Sequence, residues 1–535
     1  MWVGKFALSD EGLPAGGVAW IDLGTTAASS YSTVNGASYH KTYSSPDGIS
    51  ALYVTTEAIA ASDTSIGGFR YRKDGVLRVY DATAAVPAGS NTNQGIALTS
   101  DGQLCYTTGN TTSFNLNGVA VDSSRRVYAA PLAFELQFAD AGAGVVTTTE
   151  AITAATPTFT RATASETILS NATYGQVASG SPISYYSPSG VYLGYYAQGA
   201  RTNLCQRGSD FANVWTDVGT PTLSADTTAR GTLSLSTIGD DSAAALEGKI
   251  QTVTFTGDAV KAISLFVKQG TATSSVIRLR DTSAPADRLL AAITWSGTTP
   301  VVTMTTGTDL TGTPEQYGSS GVYRLMFATS SVTAANTNSL EIYPATDAAL
   351  DVAAVGTIQA GGVQAENATF PGIWIPTPGS ATVARNADVL TYPTSPWLNA
   401  AAGTMFAQFS INTSSAGTRI FQVDDGTTNE QIRILTNTTT GSAQIIDGGV
   451  AVMNTTPLTG ATNMQSVKMA LAYAVNDGAS CANGGTVATD ATVSLPTVTT
   501  ANIGQFAAQC AEGPIRRVSY YAARLANATL QGLTG

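Results

Sequence analysis

Few side chains in this sequence have the chemistry for acid–base or nucleophilic catalysis. The single histidine, His40, lies in SYHKTYSS without a serine elbow, a reactive cysteine or a zinc motif beside it. This setting argues against a histidine-dependent triad or a zinc centre and favours a surface or hydrogen-bonding role for His40. The sequence therefore predicts no metal and no cofactor.

Paired carboxylates are the other route to catalysis, because glycoside cleavage needs two of them and no histidine. The candidates are Asp240 with Asp241, Asp424 with Asp425, and Glu366. The second pair follows an apolar strand and precedes a glycine, so a turn is favoured over a calcium site. We expect Glu366 to brace a domain boundary through hydrogen bonds. No set of catalytic residues emerges, and the chain is not expected to be an enzyme.

The densest aromatic cluster lies in ISYYSPSGVYLGYYAQ, residues 183–198. Aromatic rings with hydroxyl rims stack on sugars as well as on partner subunits. Tyrosine is also common in half-buried strands and in interfaces, so packing or subunit contact is favoured over carbohydrate contact. The residues concerned are Tyr185, Tyr186, Tyr192, Tyr195 and Tyr196.

The composition favours sheets over exposed helices. Only 12% of the 535 residues are charged, whereas exposed helices usually carry Glu/Lys pairs, and 43% are hydrophobic, which argues against disorder. A net charge of −11 opposes binding to nucleic acid, which needs clustered Lys and Arg. No apolar run approaches the roughly 18 residues of a membrane helix or forms a signal-peptide core, so we expect a soluble chain that folds in a cytoplasm.

The four cysteines, Cys105, Cys205, Cys481 and Cys510, have none of the short spacings that create zinc or redox sites. Free thiols are favoured for a chain that folds in a cytoplasm. A disulfide between Cys481 and Cys510 is left open, because both residues lie in the last part of the chain.

Three segments near the N-terminus align without gaps. Each has a glycine, an alternating strand, a polar turn and a second strand: GFRYRKDGVLRVY, GIALTSDGQLCYT and GVAVDSSRRVYAA. Two of the turns are Asp-Gly, a strong hairpin signal because both residues tolerate positive φ. Residues 1–135 are therefore predicted to form a hairpin-repeat module, with turns at Asp74-Gly75 and Asp101-Gly102 and a third at Ser124-Arg125.

Strand patterns continue to the end of the chain. Residues 136–208 are predicted to be a Tyr-rich connector, 209–380 a β-sandwich, and 396–535 a second sandwich that folds independently beyond a Pro/Gly-rich boundary at 371–379. One short helix, capped by Asn527, is expected near the C-terminus. Segments 436–443 and 476–485 are predicted to be loops. Their neutral hydrogen-bonding groups suit sugar hydroxyls, but they are equally typical of plain solvated turns. The predicted fold class is all-β, an N-terminal hairpin-repeat module followed by two β-sandwich (jelly-roll) domains.

From residue 159 onward the chain resembles structural proteins of tailed-bacteriophage particles. The resemblance depends on short motifs in a fixed order: FTRAT at 159, GARTNL at 199, SDFANVW at 209, FVKQG at 266, GVQAENATFPGIWIPT at 362, ATVARNADVL at 381, ALAYAVND at 470 and IRRVSYYAARLANATLQGLT at 515. It implies a carbohydrate-binding-module-like middle sandwich, with Trp215 and Trp374 in its core, and a concanavalin/laminin-G-like last sandwich.

The resemblance also implies a function. It favours a non-enzymatic tail fibre or related appendage, homotrimeric, attached to other virion proteins through its N-terminal module and displaying sandwiches that contact a host surface glycan. Such a protein would be located in the virion after assembly in the host cytoplasm. The alternatives are a capsid-decorating or head-fibre protein, a glycan-cleaving tailspike and a free-standing lectin.

Overall fold

The structure is a computed structural model. It describes residues 156–226, 230–412 and 417–535 throughout, and before them a set of strands. Thirteen short strands come first: β1 Trp20–Asp22, β2 Ser32–Val34, β3 Ala37–Tyr39, β4 Thr42–Ser44, β5 Ala51–Val54, β6 Ser65–Ile66, β7 Phe69–Lys73, β8 Val76–Tyr80, β9 Ala84–Ala85, β10 Gly95–Leu98, β11 Leu104–Thr107, β12 Phe114–Leu116 and β13 Val119–Val121.

The strands that flank the two predicted Asp-Gly turns pair with each other. β7 and β8 are antiparallel, and the last pair, Lys73 with Val76, leaves two residues for the connection. β10 and β11 are also antiparallel, ending at Leu98 with Leu104. The turn residues Asp74, Gly75, Asp101 and Gly102 themselves lie outside the described residues, as do His40 and Ser124-Arg125.

Eight strands follow, and they run through the segment that was expected to be a connector. They are β14 Leu132–Asp140, β15 Val146–Ile152, β16 Thr158–Thr160, β17 Ser165–Ile168, β18 Tyr174–Val177, β19 Ile183–Tyr186, β20 Tyr192–Ala197 and β21 Arg201–Asn203. β17 pairs with β18 and β19 with β20, each as an antiparallel hairpin.

The middle sandwich has twelve strands: β22 Thr216–Val218, β23 Thr222–Ala225, β24 Ser236–Asp240, β25 Gly248–Val253, β26 Ala262–Gln269, β27 Ser274–Asp281, β28 Ala286–Ser296, β29 Thr299–Thr306, β30 Thr308–Asp309, β31 Val322–Ala328, β32 Asn338–Tyr343 and β33 Gly356–Glu366. They form two six-stranded sheets, ordered β22-β25-β32-β27-β28-β29 and β23-β24-β33-β26-β31-β30.

Alternation along β26 illustrates why this sandwich forms. Ile263, Leu265 and Val267 enter the core between the two sheets, as period-two side chains must. Phe266, between them, faces outward and is covered by the connector, where it packs with Trp374 and Tyr174. Trp215 lies in the core, as the resemblance implied. Trp374 is also buried, but it packs with Phe266 outside that core, so its implied core position differs from the structure.

The strands after the middle sandwich are β34 Val383–Arg385, β35 Val389–Pro393, β36 Ala402–Ser410, β37 Thr418–Asp424, β38 Gln431–Asn437, β39 Thr440–Asp447, β40 Val450–Leu458, β41 Ser466–Ala474, β42 Asp477–Ala482, β43 Ala488–Asp490, β44 Thr500–Ile503, β45 Gln505–Phe506, β46 Gln509–Cys510 and β47 Gly513–Tyr521. Except for β34, β45 and β46, which form two-stranded pairs, they build the last sandwich. A nine-stranded sheet follows the order β15-β14-β47-β36-β41-β42-β43, with β19 and β20 joined to it through β47, and a seven-stranded sheet has the order β16-β35-β44-β37-β38-β39-β40.

The middle sandwich is inserted into the last one. β14, β15 and β16 precede it in sequence but belong to the two sheets of the last sandwich, with β14 placed between β15 and β47. Phe134, Leu136 and Phe138 of β14 are buried in the same core as the C-terminal strands. The predicted boundaries, with a connector at 136–208 and a self-contained module at 396–535, therefore differ from the structure. The strands were visible in the sequence, whereas their distant partners were not.

The all-β fold class is confirmed, and the one described helix is α1, Asn527–Thr534. Its N-cap is Ala526, not Asn527, and no side chain caps it. Segments 436–443 and 476–485 also differ from expectation, because most of their residues lie in β38, β39 and β42 and not in loops. No helix in the described part of the chain is long and apolar enough to cross a membrane.

Candidate functional site

A row of amide and guanidinium side chains crosses the seven-stranded sheet. The strand register places Asn502 of β44 opposite Gln422 of β37, and Gln422 opposite Arg433 of β38. It continues with Arg433 opposite Gln444 of β39, and Gln444 opposite Asn454 of β40. Directly opposed residues of antiparallel strands share a face, so these five side chains form one line, here called the amide row.

The amide row faces away from the core. Its neighbours along the strands, including Val423, Ile432, Ile445 and Met453, enter the core of the last sandwich. Because side chains alternate along a strand, the row residues lie on the opposite, outer face. The polar residues at these five alternate positions are the local reason that this line across the sheet is polar on its outer face.

Hydrogen bonds hold the side chains in place in the solvent-accessible half of the row, on β38, β39 and β40. Arg433 donates from Nε and Nη2 to Gln444 Oε1 at 3.0 and 2.6 Å. Gln444 Nε2 donates to Asn454 Oδ1 at 3.0 Å, and Arg433 Nη1 donates to Gln431 Oε1. Each planar group therefore orients the next, and little side-chain freedom remains to be lost when a ligand binds.

Exposure increases along the row from β44 to β40. Gln422 and Asn502 are buried, Arg433 and Gln444 are half-buried, and Asn454 is exposed. Solvent therefore reaches the row at the edge of the sheet formed by β38, β39 and β40. A ligand of this face would meet a fixed guanidinium and two fixed amides there.

Asp424 anchors the buried half of the row. Its carboxylate accepts hydrogen bonds from Gln422 Nε2 at 2.8 Å, Asn502 Nδ2 at 2.7 Å and the Gly426 backbone N–H at 2.8 Å. Burial raises the pKa of Asp424, although these hydrogen bonds oppose the rise. Asp425 instead accepts from the Thr427 hydroxyl and backbone N–H, the turn geometry that the sequence indicated.

A second polar feature is an open cleft of about 280 Å³ between the two sandwiches. Here called the junction cleft, it is lined by Ala200, Arg201, Thr202, Glu366, Asn367, Ala368, Ala384, Arg385 and Asn386. These residues come from three of the motifs that carry the family resemblance: GARTNL, the AENATF part of GVQAENATFPGIWIPT, and ATVARNADVL. The insertion brings them together by pairing β21 with β34, so that Arg201 lies opposite Arg385.

Charged side chains beneath the cleft are paired and buried. Asp388 accepts from Arg161 Nη1 at 2.9 Å and from Arg385 Nη2 at 2.5 Å, and all three side chains are almost fully buried. Arg201 Nη2 lies 3.2 Å from Glu512 Oε2. A buried ion pair of this kind costs much to break, because the remaining charge has no water to replace its partner.

Glu366 holds the loop that closes the middle sandwich. Its Oε2 accepts from the Gly372 backbone N–H at 2.9 Å and from Gln364 Nε2 at 2.8 Å. Burial raises the pKa of Glu366, and the nearby Arg201 opposes that rise. Its Oε1 is buried without a hydrogen-bond partner among the described residues. These contacts are those of a bracing residue at a domain boundary.

The tyrosine cluster packs inside the protein. Tyr195 is fully buried with its ring 5.2 Å from Phe138, and Tyr196 is buried against Tyr185 at 4.6 Å. Tyr186 and Tyr192 pack together at 5.3 Å. A ring buried on both faces cannot stack on a sugar, so Tyr186, Tyr195 and Tyr196 are packing residues in this chain.

The glycine within the YLGYY segment allows this packing. A Cβ at Gly194, where φ is +127°, would lie 2.2 Å from the backbone oxygen of Ile515. The close approach of β20 to β47 therefore needs a residue without a side chain at this position.

Three cysteines are described, and all are buried free thiols: Cys205, Cys481 and Cys510. Cys481 and Cys510 are thus not bonded to each other. The Thr534 hydroxyl of α1 donates to Cys481 Sγ at 3.3 Å. Within the described ranges, no group of three or more His, Cys, Asp and Glu residues could hold a metal ion.

The amide row was missed at the level of sequence, although a signal for it exists. Gln422, Arg433 and Gln444 are spaced by eleven residues, the length of one strand and turn in this sheet, and Asn454 follows ten residues later. A polar residue that recurs at the hairpin repeat predicts alignment across strands once the register is known.

No protein-family model and no curated protein match the chain. Among solved structures, CBM40 of Ruminococcus gnavus IT-sialidase bound to α2,3-sialyllactose has 16% identity and a TM-score of 0.23, covering 26% of this chain and 84% of that one. Trypanosoma rangeli sialidase has 9% identity and a TM-score of 0.22, covering 97% and 98% of the two chains. Its complex with sialic acid has 10% identity and a TM-score of 0.21, covering 98% of both chains.

These matches correct one expectation from the sequence. They are sialidases and a sialidase CBM40, and none is a component of a bacteriophage particle. The expectation of a phage tail fibre or related appendage is therefore wrong, and its last alternative, a glycan-cleaving tailspike or a free-standing lectin, is favoured. Because the TM-scores are this low, the chain's own side chains must carry the argument for function.

Proposed function

We propose that this chain is a glycan-binding protein and that the amide row is its contact surface. The observation that carries the proposal is the fixed line of Arg433, Gln444 and Asn454 on the open half of an outer sheet face. Planar groups with both donors and acceptors match sugar hydroxyls, which are also donors and acceptors.

The electrostatics of the row favour a neutral ligand. Its only charged member is Arg433, and that guanidinium already donates to Gln444 and Gln431. The Asp424 carboxylate lies at the buried end, where three donors satisfy it. What the open end presents is therefore mainly amide groups, which suit hydroxyls better than phosphates or carboxylates.

We further propose that the row binds without cleaving. Glycoside hydrolysis uses two carboxyl groups that flank the scissile bond. At the buried end of the amide row, Asp424 already accepts hydrogen bonds from Gln422 and Asn502. Its neighbour Asp425 accepts a hydrogen bond from the Thr427 hydroxyl within a turn. Neither carboxyl group lies at the open end where a sugar would sit.

A glycan array probed with the full chain tests the proposal, followed by calorimetry with the strongest neutral oligosaccharide. Asn454→Ala and Gln444→Ala should each weaken binding about fivefold to tenfold, since one hydrogen bond contributes about 1 kcal/mol. Asn437→Ala, an exposed amide at the far end of the β38–β39 hairpin, is the matched control and should bind as the parent does. Equal loss in all three variants, or release of sugar products, would overturn the proposal.

A further inference from the structure

The middle sandwich has one long open edge, at β29. This strand pairs with β28 on one side, and no strand in the described part of the chain pairs with its other side. The other edge strands of this sandwich are short: β22, β23 and β30 have three, four and two residues, whereas β29 has eight. A long open edge is a template for a further strand, because its backbone N–H and C=O groups lack partners.

The strand register identifies these backbone groups. Ser296 and Thr299 form the last pair of the β28–β29 hairpin, across a two-residue turn, so they exchange hydrogen bonds. Alternation along the ladder then directs the backbone groups of Pro300, Val302 and Met304 away from β28. Pro300 has no N–H, which suits an outward position on an edge strand. Among the described residues, Val302 and Met304 make no backbone hydrogen bond outside the ladder, so each presents a free N–H and a free C=O.

The side chains of β29 make the edge apolar on one face. Val302 and Met304 are half-buried and pack against the core of the middle sandwich. Val301 and Thr303 point to the opposite face and are exposed. Apolar side chains at an open edge lose contact with water when a further strand is added. Strand addition at β29 would therefore extend the core as well as the backbone ladder.

The charge pattern favours a second copy of this chain as the added strand. Two copies with a net charge of −11 each repel one another, so they can meet only where like charges do not face each other. No charged side chain lies between Arg288 and Asp309, a stretch that contains all of β29. In contrast, β22 at the opposite edge of the same sheet carries Asp217, which is paired with Lys249.

We infer that β29 is a self-association edge that pairs with β29 of a second copy. In an antiparallel arrangement with Thr303 on the two-fold axis, Val302 of one copy lies opposite Met304 of the other. This register pairs all the free backbone groups of the two residues and brings their apolar side chains together. Two six-stranded sheets thereby become one continuous sheet of twelve strands. The amide row lies on the other sandwich and stays free.

Sedimentation velocity of the full chain tests the inference and should show a dimer whose fraction rises with protein concentration. Thr303→Lys places two ammonium groups opposite each other on the axis, so it should raise the dissociation constant about fivefold or more. Thr252→Lys is the matched control, at an exposed threonine of β25 in the same sheet, and should dimerise as the parent does. Circular dichroism of each variant reports whether it is folded.

A cysteine variant tests the register itself. Two residues opposite each other in a non-hydrogen-bonded antiparallel pair have Cα atoms about 4.5 Å apart, within the range of a disulfide. With diamide as the oxidant, Thr303→Cys should form a covalent dimer on a non-reducing gel, whereas Thr252→Cys and the parent should not.

Three results would each overturn the inference. They are a parent that stays monomeric at every concentration, a folded Thr303→Lys variant that dimerises as the parent does, and a Thr303→Cys variant that forms no covalent dimer. If Thr303→Lys fails to fold, the cysteine variant decides. The glycan-binding proposal for the amide row stands or falls separately, because none of these substitutions lies in the last sandwich.

Discussion

The two sandwiches contain similar strands but are assembled from the chain in different ways. All twelve strands of the middle sandwich lie between Thr216 and Glu366, in one continuous stretch. The last sandwich needs β14, β15 and β16 from before that stretch as well as the strands after it. A sandwich core can therefore be continuous in space while its sequence is interrupted by another complete domain.

The difference matters most at β14. This strand pairs on one side with β15 and on the other with residues 517–521 of β47, so without it that part of the β47 edge would be unpaired. Phe134 stacks on Trp397 at 4.4 Å and lies 5.2 Å from Tyr392, which belong to the strands and loops after the insertion. The upstream strand thus completes both the sheet and the core of the C-terminal part.

The largest predicted effect comes from cutting the chain at the boundary that the sequence suggested. A fragment of residues 396–535 should fail to fold, because it lacks β14 and β35 and exposes the core that Phe134 and Leu136 cover. A fragment of residues 132–535 should fold. Near-ultraviolet circular dichroism and thermal unfolding would distinguish the two, and a cooperative transition in the shorter fragment would refute the insertion.

A smaller effect is expected from breaking the ion pairs at the junction between the sandwiches. Asp388→Ala leaves Arg161 and Arg385 buried without their shared carboxylate, which should cost about 3–5 kcal/mol in the free energy of unfolding. Asp477→Ala removes the partner of Arg524 at a half-exposed position and should cost about 0–1 kcal/mol. Denaturant titration of both variants measures the difference, and equal costs would contradict a buried junction.

Two leucine substitutions should show that the two sandwiches have separate cores. Leu136→Ala in β14 and Leu279→Ala in β27 each remove a fully buried side chain, at a cost of about 2–5 kcal/mol. The first should raise amide hydrogen exchange in β36 and β47, and the second in β28 and β32, because each leucine packs in a different core. If Leu136→Ala instead loosened the middle sandwich, β14 would belong to the other domain.

The sequence was sufficient for the fold class and the terminal helix, because each depends on a local pattern. The core positions of Trp215 and Trp374 were implied only by the family resemblance, and Trp215 alone lies in the core between the two sheets. The sequence was not sufficient for the pairing of β14 with β47, because about 380 residues lie between the two strands in the chain. The same limit applies to the site. Arg201, Glu366 and Arg385 lay in motifs that attracted attention, but only the pairing of β21 with β34 shows that they share one cleft.

The buried carboxyl groups of the two sandwiches differ in the direction of their pKa shifts. Asp281 in the middle sandwich accepts from Arg288 Nη2 at 2.9 Å and Asn336 Nδ2 at 2.7 Å, and these contacts lower its pKa. Glu366, at the junction, has its pKa raised by burial, with Arg201 as the opposing charge. One carboxyl group therefore stabilises the fold when ionised, and the other does so when protonated.

The smallest predicted effect is a pair of opposite pH dependences that follows from this difference. Asp281 contributes stability above its unfolded pKa of about 3.9, and that contribution is lost as the pH falls through its lower folded value. Glu366 contributes stability below its unfolded pKa of about 4.3, and that contribution is lost as the pH rises through its raised folded value.

Asp281→Asn should thus differ most from the parent in unfolding free energy at neutral pH and converge with it in acid. Glu366→Gln should gain stability relative to the parent as the pH rises from 4 to 8. Unfolding free energies measured across that range for the parent and both variants provide the test, and parallel pH profiles for the two variants would show that the junction carboxyl group is ionised like the one in the middle sandwich.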